Sequence, residues 1–163
     1  MNKTLITLSA LAALAAVSVQ AQEVRSERNM SLSLANQIAA ASVAACAANG
    51  HNVTATVVDR AGTVRAVQRA DNAGPHSVEA SLRKAYTAAS ARSATQAMME
   101  NAQKNPGAAN LVHIPGFLLL GGGVPVKAGN DVIGAVGVGG APGGQLDEQC
   151  ANAALDKVKD LLK

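Results

Sequence analysis

The chain has 163 residues, enough for one ordinary domain, and 48% of them are apolar. One tyrosine, one phenylalanine and no tryptophan leave the core to alanine, valine, leucine and isoleucine, each of which buries little area. Fourteen basic residues face eleven acidic ones, for a net charge of +3; this slight excess, not interleaved with aromatics, gives nucleic-acid binding no support.

Taken in chain order, the first segment reads as a signal peptide. Lys3 supplies the positive start, Leu5 to Val17 the apolar run, and Val19-Gln20-Ala21 the small residues of a cleavage site. The run is shorter than the roughly 20 apolar residues of a spanning helix. Cleavage after Ala21 would leave a single domain over residues 22–163, periplasmic or secreted and not embedded in a membrane. Leu34, Ile38, Ala41 and Ala45 then recur at helical spacing, with Ser33 placed to cap the helix and Gly50 to close it. Val53–Val58 and Thr63–Gln68 flank the turn Asp59-Arg60-Ala61-Gly62 and read as a β-hairpin.

A polar loop runs from Arg69 to His76. Ser77 opens a second helix to about Ala91, and Ser93 with Gln96 resembles a capping box for a third. Asn105-Pro106-Gly107 breaks that helix. Strands are expected at Phe117–Leu120, around Val124–Lys127 and at Val132–Val138, with a turn at Ala128–Asp131. A glycine-rich loop, Gly139–Gly144, leads to a last helix beginning at Leu146 or Asp147 and ending at Leu162. Short connections make the sheet antiparallel. The fold class is α+β, a layered domain with a five-stranded antiparallel sheet flanked by helices.

Phosphate-loop and dinucleotide fingerprints are absent, since Gly137-Val138-Gly139 continues into Gly-Ala-Pro. Glycines between β-branched residues mark backbone that something approaches closely. Gly121-Gly122-Gly123 reads equally as a nest of N–H groups for an anion or as a bulge. His51, His76 and His113 are the only histidines, and none has metal-ligand spacing to a partner. Each is a solvated loop residue or an axial ligand to haem iron, with His113 first because Pro115-Gly116 follows it; Met98 and Met99 are further ligand types. Arg69 and Lys84 are either anion contacts or members of ion pairs with Asp59, Asp71 or Glu79. Asp147-Glu148, at a helix start, fits capping and dipole compensation. In an exported protein Cys46 and Cys150 favour a disulfide over two buried thiols, worth about 4 to 5 kcal/mol by the chain-entropy estimate. No CxxCH motif is present, so any haem would be held non-covalently.

One set of segments runs in a specific order: Val58-Asp59-Arg60-Ala61-Gly62, Arg69-Ala70-Asp71, Gly74-Pro75-His76 and Arg83-Lys84-Ala85-Tyr86-Thr87-Ala88. Gly122-Gly123-Val124-Pro125, Ile133-Gly134-Ala135-Val136-Gly137-Val138 and Asp147-Glu148 complete it. In this order the chain resembles the GlcG/HbpS-like haem-binding family from about Leu32 to Leu161. The resemblance implies a profilin-like sandwich, a homo-oligomer and, for several members, haem or a related tetrapyrrole such as a corrinoid. Where members often carry Val-Ser-Gly after the last strand, this chain has Val138-Gly139-Gly140 and lacks that hydroxyl. The leading expectation is an exported, non-catalytic or sensory haem binder. Its apolar strands would cover the macrocycle, Arg69 and Lys84 would meet the carboxylates, and His113 would hold iron. Two rivals are an enzyme or sensor for a small carboxylic acid such as glycolate, held by the Gly122-Gly123 nest and Arg69, and a structural module that binds a partner.

Overall fold

The computed structural model describes residues 24–163; the expected signal peptide, 1–21, lies outside them. The elements are α1 (Leu32–Ala48), β1 (Thr54–Asp59), β2 (Val64–Arg69), α2 (His76–Ala91), α3 (Thr95–Lys104), β3 (Gly123–Ala128), β4 (Asp131–Gly139) and α4 (Gly144–Lys157). Short 3-10 segments follow α3 at Pro106–His113 and α4 at Lys159–Leu161. Ser31, not Ser33, caps α1 by accepting from the Leu34 N–H, and Gly50 closes it with φ +77°. The capping box at Ser93 does not form: α3 starts from Ala94 with no side-chain cap.

All strand pairs are antiparallel, in the order β2-β1-β4-β3. The sheet therefore has four strands where five were expected. The segment 117–120 is not a strand because its backbone is satisfied by helix side chains. Arg83 donates to the Phe117 carbonyl (2.6 Å), Thr87 Oγ1 accepts from the Leu118 N–H (2.8 Å), and Thr95 Oγ1 donates to the Leu120 carbonyl (2.7 Å). The segment is half-buried with Leu120 exposed, so these three bonds hold it against the helices without a strand ladder.

The period of two along each strand sends alternate residues to opposite faces. Ala55 and Val57 of β1 join Val124, Val126, Val136 and Val138 in the main core, covered by Ala35, Ile38 and Ala39 of α1 and Cys150 and Ala151 of α4. Cys46 and Cys150 are bonded within that core, with Cα atoms 5.3 Å apart. The expected bridge thus clamps α1 to α4. Val58 and Ala135 face the other way, onto Ala85, Ala88 and Ala89 of α2. The sheet lies between α1 and α4 on one side and α2 on the other.

Candidate functional site

Helix α2 is turned inside out. Its buried side carries Ser77, Ser81, Lys84, Ala85, Thr87 and Ala88, while Val78, Leu82 and Tyr86, at i, i+4 and i+8, face outward at 42%, 36% and 36% exposure. A surface helix ordinarily buries its apolar stripe. The sheet reverses that rule because its glycines admit the helix backbone. A Cβ on Gly137 would lie 2.0 Å from the Ser81 carbonyl oxygen, and one on Gly123 2.4 Å from that of Lys84. At so close an approach only small or locally satisfied side chains fit.

The polar groups on this inner side are paired. Ser77 and Ser81 donate to the Gly74 and Val78 carbonyls (2.6 and 2.9 Å), which leaves Thr54 and Thr56 to donate to the two serines (2.7 Å each). Lys84, 1% exposed, places its ammonium 2.7 Å from Asp147 Oδ2 and 2.9 Å from the Val138 carbonyl. The other Asp147 oxygen accepts from the Ala141 N–H at 3.0 Å. Burial pushes the Asp147 carboxyl above its ordinary value, while Lys84, the Ala141 N–H and the charge of His51 pull the other way.

These contacts correct several expectations. Lys84 is sealed in an ion pair and is not free to meet a ligand's carboxylates; its partner is Asp147 rather than Asp59, Asp71 or Glu79. Gly122 and Gly123 do not form an open anion nest. The Gly123 N–H goes to Thr95 Oγ1 at 2.8 Å, the Gly122 carbonyl accepts from Val138, and Lys84 Nζ lies 3.1 Å from where a Gly122 Cβ would stand. Strands β1, β3 and β4 are covered by helices and cannot wall a flat ligand; only the edge strand β2 leaves apolar side chains, Val64 and Val67, exposed.

Nor do the remaining candidates converge. Arg69 pairs with Thr54 at the start of β1, and its guanidinium donates to the Ala73 carbonyl. His76, exposed, begins α2 beside it, and His51 ends the α1 turn at the same end of the sheet. His113 is exposed at the close of the 3-10 segment after α3. Its loop continues to Gly116, which touches Tyr86 next to the β1–β2 turn, at the far end of β1. Six strand residues, about 20 Å, separate the two ends.

What this second end offers is an apolar groove of about 290 Å³ lined by Leu82, Arg83, Tyr86, Pro115 and Gly116. The Tyr86 ring is held between two left-handed glycines, 2.9 Å from a Cβ position on Gly62 and 3.1 Å from one on Gly116. Phe117 meets it edge-on, with ring centroids 6.4 Å apart. The spacing of Val78, Leu82 and Tyr86 was the signal for this face, but periodicity does not tell which side of a helix is buried. No three His, Cys, Asp or Glu side chains gather as a metal site among the described residues. No helix among them is long and apolar enough to cross a membrane.

The profile of the family described as "Haem degrading protein HbpS-like" matches residues 30–156. The chain belongs to this family. Protein GlcG of Escherichia coli (strain K12) is 38% identical over 109 residues, 67% of this chain and 80% of GlcG. A double mutant of HbpS from Streptomyces reticuli superposes with a TM-score of 0.79 at 37% identity, covering 90% of this chain and 99% of that one. The PduOC:haem complex shares the fold, with a TM-score of 0.70 at 24% identity over 78% of this chain and 94% of the other. The α+β, GlcG/HbpS-like expectation is met; the five-stranded count is not.

Proposed function

We propose that this HbpS-like chain is an exported haem-binding protein that holds its ligand non-covalently and works as a homo-oligomer. The inverted face of α2 is the observation that carries the reading. A row of exposed Val78, Leu82 and Tyr86 costs solubility with no gain to the core, and such patches mark sites where an apolar surface is to be covered. The groove beside it suits one side of a flat apolar macrocycle. Arg83 at its rim, which already holds the Phe117 carbonyl and lies 4.0 Å from Glu79, would turn its remaining donors to a carboxylate, and His113, two residues ahead of Pro115, would be the iron ligand. Its volume falls just below the range of about 300–1,000 Å³ usual for small-molecule sites, too small to enclose a macrocycle alone. A second copy of the chain would supply the other wall. Haem would bring a redox-active iron; this chain's own residues bind, shield and orient it.

The family's description and the haem-bound PduOC of the same fold support the ligand class. The short apolar N-terminal run and the Cys46–Cys150 bridge support export to an oxidising compartment. Titration of residues 22–163 with haemin tests the proposal. A saturable Soret band at micromolar haemin is expected. It should be lost in Leu82→Glu and kept in Arg69→Gln, and His113→Ala should change the spin-state spectrum. Absence of saturable binding, or a Leu82→Glu variant that binds as well as the parent, overturns the reading.

A further inference from the structure

A second cleft, of about 300 Å³, is lined by Arg25, Glu27, Asn29, Arg60, Ala61 and Arg92. Three guanidiniums share it with a single carboxylate. Glu27 lies between two of them, one oxygen against Nε of the largely exposed Arg25 and the other 2.8 Å from Nε of the more buried Arg60. The terminal amino groups of both arginines are left without a partner among the described residues. Arg60 is held in place from behind, since its backbone N–H donates to Asn29 Oδ1 at 3.1 Å. The guanidinium of Arg92 makes no hydrogen bond or ion pair among the described residues.

Arg92 also occupies a costly backbone position. It caps the end of α2 in the left-handed region, φ +53° and ψ +31°, where helices commonly place glycine. Besides Asn72 it is the sole non-glycine with positive φ among the described residues. A strained arginine aimed into a cleft that already holds two others is poorly explained by folding alone.

We propose that this cleft binds a doubly charged oxyanion, with a phosphate group as the matching chemistry. Glu27 engages one Nε of each of two guanidiniums and neutralises one of the three charges. A third fork, with unfilled donors on the other two, fits an anion that carries more oxygens and a second charge. The cleft adjoins the β1–β2 turn, whose Gly62 backs the Tyr86 ring, but the inference does not depend on haem.

Calorimetric titration of residues 22–163 with inorganic phosphate at low ionic strength, with acetate as the singly charged comparison, tests it. Saturable phosphate binding that acetate does not match is expected. Arg92→Gly should weaken it about tenfold or more while the melting temperature holds or rises, because glycine relieves the left-handed strain. Arg65→Gln removes an exposed arginine outside the cleft and should leave the affinity unchanged. Failure of phosphate to saturate overturns the proposal, as does equal binding of acetate, an unaffected Arg92→Gly or an equal loss in Arg65→Gln. A protein that binds phosphate and not haemin keeps this inference and loses the previous one.

Discussion

Gly137→Ala separates two accounts of the glycine-rich strands. If those glycines made room for a ligand, the free protein would tolerate a methyl group there and lose only binding. The structure predicts the opposite. The new Cβ would stand 2.0 Å from the Ser81 carbonyl oxygen, 2.5 Å from the Ala85 nitrogen and 3.1 Å from its Cα. All three are helix backbone, so no rotamer change relieves the overlap. Normal contact lies near ~3.5 Å, and α2 must therefore retreat by more than about 1 Å. A shift of that size strains the Thr56–Ser81 bond and the Lys84–Asp147 contact, both now 2.7 Å. Overpacking costs about 1–3 kcal/mol and a stretched buried hydrogen bond about 1 more, for a total near ~3 kcal/mol. In a domain of this size that lowers Tm by about 10 °C in a far-UV circular dichroism melt. Gly143→Ala is the control: its Cβ meets nothing within 4 Å and its φ is −153°, so the change should stay within about 0.5 kcal/mol. A Gly137→Ala protein that melts with the parent and fails only to bind haemin would refute the reasoning.

Three further outcomes follow from the same packing. Replacing Cys46 and Cys150 together by alanine should cost about 4 to 5 kcal/mol in urea unfolding, since the bridge spans 104 residues; a loss below about 1 kcal/mol would place its value outside chain entropy. Lys84→Met alone leaves the Asp147 charge buried and should cost about 3–5 kcal/mol, whereas the Lys84→Met, Asp147→Leu pair should recover much of it; equal losses in the single and double variants would deny the coupling. The third concerns pH. Because the native Asp147 carboxyl is raised above its ordinary 3.8, the folded chain binds that proton more tightly than the unfolded one. The stability from this group is fully present below 3.8, falls as pH rises to the raised native value and is level above it. The stability difference between parent and Asp147→Asn, measured from pH 3 upward, should decline in that window; a difference that grows there contradicts the shift.

Element type was legible along most of the chain because local chemistry decided it. The hairpin around Asp59 formed as read: Asp59 Oδ1 accepts from the Ala61 and Thr63 N–H groups at 2.9 and 3.0 Å, and Gly62 adopts φ +79°. Phe117–Leu120 misled because an apolar run looks the same whether a strand or a set of helix side chains takes its backbone hydrogen bonds. The site was harder. Residues near each other in sequence, such as Lys84 and Glu79, invite pairing by helical spacing, but the partner of Lys84 lies 63 positions away on α4. Nothing local in Asp147 distinguishes a carboxylate that caps its own helix from one that anchors a distant lysine. The expected capping role is not met, since α4 has no side-chain cap: one Asp147 oxygen holds Lys84 and the other accepts from the Ala141 N–H, in the loop ahead of the helix.

The same scarcity of bulky side chains explains both the inward and the outward side of α2. A core of alanine, valine and glycine gains stability from closeness rather than from area, so the helix settles onto the sheet through serine, threonine and lysine groups that pair where they are buried. That arrangement leaves the larger apolar residues of α2 nowhere to go but outward. The protein's single tyrosine stands on this outer face between Gly62 and Gly116, which on the proposed reading lowers the entropy cost of holding its ring for a ligand. On the proposed reading, this half-exposed aromatic on a helix held by buried polar pairs is the binding surface, and the covered strands are not. The buried polar pairs, by keeping α2 against the sheet, are therefore a condition of that surface, and weakening them should loosen ligand binding without any contact to the ligand.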